Sequence, residues 1–169
     1  DFFSRVFHMT QASLGLPVAI IYSFAGAGAL SSGLLFPQLT ARGYSVNRAR
    51  KTSMLFYACM ILPMPLALLA PNPWVAALVI GAALFAHQGF STNVFGLTAD
   101  IVPTGRVATV IATGAVAGNI SGALIIKLAG WSLANGHGYW PMFAICASAY
   151  LVATLWVHLL LPVIRPAKA

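Results

Sequence analysis

Acidic residues are nearly missing from this chain. There are two in 169 positions, Asp1 and Asp100, against nine Lys and Arg. Charge of either sign is scarce, at 7% of residues, where a soluble domain carries about 25%. Such a chain cannot cover itself with a water-facing surface. Paired carboxylates for acid–base work are excluded, and no nucleophile or metal-ligand cluster stands at a useful spacing. The chain therefore does not read as an enzyme, and no cofactor or metal site is indicated. Cysteine is equally sparse: Cys59 and Cys146 both sit inside apolar runs, where they act as small hydrophobes rather than disulfide partners. The net charge of +7 is spread singly or held in one short loop, so it forms no stripe for nucleic acid. No signal peptide is visible. DFFSRVFH has neither an initiating Met nor a basic opening, and the chain is expected to begin partway through a longer protein.

What is abundant is apolar length. The chain is 60% hydrophobic with a mean hydropathy of +0.88. Five runs, at residues 16–36, 52–70, 74–98, 107–128 and 140–161, approach the roughly 20 residues that a hydrocarbon core requires. The expected fold class is therefore all-α, a polytopic membrane protein of five transmembrane helices lodged in a lipid bilayer. Residues 1–15 are too polar to span and read as a loop or interfacial segment.

Within the runs, small residues and prolines are ordered. Ala25, Ala29 and Gly33, with Gly28 and Ser32, repeat every four positions and suit a close helix contact. Gly114, Gly118 and Gly122 make two consecutive GxxxG units with the same meaning. Pro63 and Pro65 are expected to kink the second run. PNP at 71–73 reads as a turn, and 129–139 as a Gly-rich loop.

The third run carries the chemistry. In AHQGFSTNVFGLTADIVP, residues 86–103, a histidine and a primary amide enter hydrocarbon, which costs several kcal/mol unless they face protein or a water-filled cavity. With His87 at 0° and about 100° per residue, Thr98 falls at about 20°, Ser91 at about 40°, Phe95 at about 80°, Gln88 at about 100° and Thr92 at about 140°. Those six share one face. Asn93, at about 240° with Gly89 and Gly96 near it, looks the other way, where its amide serves as interhelical glue. His87 either donates to a carboxylate or moves a proton, or is held by a structural hydrogen bond. In the fourth run Asn119 is the one strongly polar residue at mid-span, open to either ligand contact or helix contact.

Cations set the orientation. If the loop carrying Arg42, Arg48, Arg50 and Lys51 is cytoplasmic, alternation puts Arg106, Arg165 and Lys168 inside too, leaving Arg5 and Lys127 outside. The N-terminus is then outside and the C-terminus inside a cell (inner) membrane. Asp100 and Arg106 are expected to order the cytoplasmic loop and helix end.

The stretch AHQGFSTNVFGLTADIVP, preceded by GYSVNRARK and followed by GAVAGNISGALIIKLAGW, resembles the C-terminal half of the major facilitator superfamily. The likeness is to its anion:cation symporters, and within them to the hexuronate transporters. It runs from about residue 7 to about residue 162. It departs at Gly26 of FAGAGA, where the family often has Asp, and at ATGAVAG, where the family has a richer glycine run. The resemblance implies that the five spans are helices eight to twelve of twelve, most of a C-terminal six-helix bundle whose N-terminal partner half lies elsewhere. It also implies secondary active transport of a sugar acid or related organic anion with a coupling ion, expected to be a proton, by alternating access. The pocket positions would be Gln88, Ser91, Thr92 and Phe95 on the third span and Ala115 and Asn119 on the fourth, with His87 beside them. A non-transporting membrane fragment or scaffold is the alternative, and it predicts that the polar face of the third span is buried against another helix of the same chain.

Overall fold

The computed structural model describes residues 2–164. Asp1, Arg165 and Lys168, which entered the reading of charge and orientation, lie outside the described residues. The fold is all-helical, as the composition requires: α1 (Phe2–Phe7), α2 (Gly15–Ala41), α3 (Val46–Ile61), a short 3-10 helix (Met64–Leu69), α4 (Pro73–Ile101), α5 (Thr104–Ala134) and α6 (Trp140–Leu160). Five of these segments are long and apolar enough to cross a membrane, the 3-10 helix continuing α3.

Helix ends follow from local chemistry. The Asn72 side chain accepts from the Trp74 and Val75 amides at 3.1 and 3.0 Å, with Pro73 in the first turn, so the expected turn is also the cap of α4. Ser45 caps α3 by accepting from Arg48 N. At the far end of α2, Gly43 adopts φ 86° while its N–H donates to Thr40 O and that of Tyr44 to Leu39 O. This paired closure satisfies orphan carbonyls and favours glycine, which has no Cβ to strain. The same closure recurs at Gly136, φ 76°. It carries α5 on to Ala134, so half of the expected loop at 129–139 is helix.

Two other boundaries differ from the sequence reading. The basic stretch expected as loop is largely helical, because α3 begins at Val46 and contains Arg48, Arg50 and Lys51. The second span does more than kink. It stops at Ile61 and resumes as a 3-10 helix, since Pro65 has no N–H to offer Ile61 and its ring collides with that carbonyl.

The core is organised around α4. On one side Met54, Tyr57, Ala58 and Ile61 of α3 pack with Ala86, Phe90 and Leu97. Towards the other end, Phe3 of α1 and Ile21 of α2 pack with Ala76 and Ala77. The small-residue stripe of α2 does allow close approach. Ala25, Gly28 and Ser32 are buried, and a Cβ on Gly28 would overlap the Phe85 backbone. α5 behaves differently. Only Ser132 of that helix is buried, and nothing lies within 4 Å of where a Cβ would sit on Gly114, Gly118 or Gly122. The contact expected from the two GxxxG units is not made by any described residue.

Candidate functional site

α2 and α3 occupy two sides of α4, and the glycines show where. Gly81 faces the Phe24 ring of α2, Gly89 the Tyr57 ring of α3, and Gly96 the Arg50 guanidinium of α3. Asn93, fully buried, donates from Nδ2 to Ser32 Oγ of α2 at 2.8 Å and to Gly89 O at 3.0 Å. It is interhelical glue, on the side that helical geometry assigned to it. Tyr57, which periodicity did not single out, joins α2 to α3 through a 2.8 Å hydrogen bond with Ser31 Oγ. A third side is closed by α6: the Tyr150 hydroxyl is hydrogen-bonded to His87 Nδ1, and the Tyr150 ring stands edge-on to both His87 and Phe90.

Between α6 and α2 a wedge of α4 stays open. Gln88, Ser91 and Thr92 are half-buried there, and Phe95 is 53% exposed. The Thr92 hydroxyl donates to Gln88 O at 2.9 Å, so it offers a solute only lone pairs. Among the described residues neither the Gln88 amide nor the Ser91 hydroxyl makes a side-chain hydrogen bond. Both donors and acceptors therefore remain unused at mid-helix. His87 sits at the edge of this wedge with its ring turned to α6, and Thr98 closes on its own helix through Val94 O. Asn119 is on α5, exposed, with Nδ2 given to Ala115 O at 2.8 Å. No described contact joins it to the α4 wedge.

At the basic end of the bundle, Arg50 Nε donates to Asp100 Oδ2 at 2.7 Å, while its guanidinium lies 3.7 Å from the Phe36 ring centre. By sequence alone Arg50 belongs to the basic loop. A signal was present: apart from Asp1, Asp100 is the one acid of the chain and stands just past the third run, and antiparallel second and third spans bring the start of one beside the end of the other. Lys51 Nζ donates to Pro162 O at 2.8 Å, and the Ile164 N–H donates to Asn47 Oδ1 at 3.0 Å. The segment after α6 is thereby pinned to the start of α3.

A bundle of membrane-length helices with an unsatisfied polar wedge at mid-span can be set beside known proteins. The chain is similar to a transporter. It is 29% identical over 134 residues to the hexuronate transporter of Escherichia coli strain K12, covering 78% of this chain and 31% of that protein. It is 37% identical over 114 residues to the multidrug resistance protein MdtG of Citrobacter koseri, covering 67% of this chain and 28% of that protein. No family model matches. The chain thus spans about a third of the length of the curated relatives it matches. Taken with the five apolar helices, these likenesses make it a multi-pass membrane protein.

Proposed function

We propose that the chain is helices eight to twelve of a major facilitator superfamily transporter, and that the intact protein carries a sugar acid or related organic anion by ion-coupled symport. The observation that carries this reading is the open wedge of α4. Gln88 and Ser91 are polar, half-buried and unpartnered in the middle of a 29-residue apolar helix, a costly placement unless a solute or a water-filled cavity answers them. A scaffold would bury that face against its own helices, and no described helix covers it. Similarity to a hexuronate transporter supports a hydroxyl-rich solute. Gln88 and Ser91 donate to it, Thr92 accepts, and Phe95 forms an apolar wall. Alternating access places such a site near the bilayer midplane between two helical halves. The other half supplies the cation that an anion needs, because the two buried-end charges of this chain, Arg50 and Asp100, answer each other. His87, held by Tyr150, borders the site and sets the relation of α4 to α6.

The basic end of the bundle, with Arg42, Arg48, Arg50, Lys51 and Arg106, is cytoplasmic in this reading. The test is uptake of a radiolabelled hexuronate by cells or vesicles holding the intact protein. Gln88→Ala is expected to lower uptake about tenfold, the equivalent of one lost hydrogen bond to a charged solute, with membrane insertion unchanged. Uptake at the wild-type rate would overturn the site.

A further inference from the structure

Where α3 begins and α6 finishes, the two helices leave a cleft of about 270 Å³, lined by Lys51 and Leu55 from α3 and by Leu151, Thr154, Leu155 and His158 from α6. Its lining is sorted along the helix axes. Lys51 and His158 stand at the basic end of the bundle. Leu55 lies one turn deeper on α3, and Leu155 and Leu151 lie progressively deeper on α6. The outer wall faces away from the bundle, since Leu55 and Leu155, with Val152, Trp156 and Leu159 beside them, are exposed.

The chemistry of the mouth selects an anion. Lys51 gives one of its three donors to Pro162 O at 2.8 Å and keeps two. Thr154 donates to Tyr150 O at 2.8 Å, so it brings no further donor. The one acid among the described residues, Asp100, is engaged by Arg50 and leaves Lys51 unanswered. A small soluble anion would satisfy Lys51 but leave the three leucines without an apolar partner. A neutral lipid would do the reverse.

We propose that this cleft binds an anionic phospholipid, its phosphate at Lys51 and His158 and the upper part of one acyl chain along Leu55, Leu155 and Leu151. Basic recesses between membrane helices on the cytoplasmic side suit such headgroups, and a cleft of about 270 Å³ admits a phosphate with the chain stub behind it. The cytoplasmic leaflet as the source rests on the orientation proposed above. The cleft's preference for an anionic lipid does not.

Native mass spectrometry of the intact protein in detergent, titrated with phosphatidylglycerol and with phosphatidylcholine of identical acyl chains, tests this. Wild type is expected to retain phosphatidylglycerol about fivefold better, the worth of roughly 1 kcal/mol for one cation at the headgroup. Lys51→Gln with His158→Gln is expected to abolish the preference, and Lys51→Arg to keep it. Thr154→Phe, which fills the cleft but spares Lys51 and His158, is expected to reduce phosphatidylglycerol retention. Equal retention of the two lipids by wild type would overturn the proposal, as would an undiminished preference in the double variant. Displacement of phosphatidylglycerol by millimolar inorganic phosphate would show a free-anion site instead and also overturn it. A reporter fusion placing the start of α3 outside would overturn the assigned leaflet and the proposed orientation together, leaving the detergent binding result intact.

Discussion

Arg50 and Lys51 are neighbours in sequence with the same charge, and their surroundings give them unrelated work. Arg50 is turned inward under Gly96 and paired with Asp100 at side-chain exposures of 11% and 24%, whereas Lys51 reaches the chain after α6. A partly buried pair is costly to break from one side, because the partner left behind is an uncompensated charge. Arg50→Met is therefore expected to lower the unfolding temperature in detergent, by the equivalent of about 3 kcal/mol, and Arg50→Met with Asp100→Leu to recover most of it. A double variant no better than the single would refute the pairing argument. His87 and Gln88 diverge in the same way. They are about 100° apart on the helix, which is enough to turn one ring onto Tyr150 and leave one amide in the open wedge. That both are polar at mid-membrane was legible in the sequence. Which of them had a protein partner was not, because the partner lies 63 positions away from His87.

At the scale of the helix, α4 was legible almost throughout. Its extent, its polar wedge and the opposed face of Gly89, Asn93 and Gly96 all follow from the period of 3.6 residues. The identity of its neighbours does not. The stripe of α2 reads as a contact, and the structure makes it one at Gly28, which meets rigid backbone at Phe85 rather than a side chain able to move. Gly28→Ala is expected to separate α2 from α4 and cost about 1–3 kcal/mol. Gly26→Ala, on the same helix with nothing within 4 Å, is expected to be neutral. Thermal unfolding of the two variants side by side checks this, and equal stability would contradict the packing. The GxxxG face of α5 carries the same kind of signal but meets no described helix. A small-residue pattern states that a surface can be approached, not by which helix.

Among the described residues, one end of the bundle collects Arg42, Arg48, Arg50, Lys51 and Arg106 with the partly buried ion pair, and the middle of α4 carries the unpartnered wedge. The exposed Arg42 and Arg48 carry the orientation argument without being tied into the core. Arg42→Glu with Arg48→Glu is accordingly expected to move part of the population to the opposite topology in a reporter-fusion assay while leaving the Arg50–Asp100 pair in place. Unchanged orientation would remove the charge argument. The wedge of α4 and the face of α5 that carries Gly114, Gly118 and Gly122 are left uncovered by the described residues.

By itself the sequence determined that this chain is a set of apolar helices in lipid, because burying a backbone in hydrocarbon leaves few alternatives to intrahelical hydrogen bonds. It also determined which residues share a face, because the helical period is local. Tertiary structure alone decided that His87 would be held by α6, that Arg50 would leave the loop for Asp100, and that Gln88 and Ser91 would stay open. Pairing between distant segments depends on how helices cross and how closely their backbones approach, and neither quantity is written in the spacing of residues along one helix.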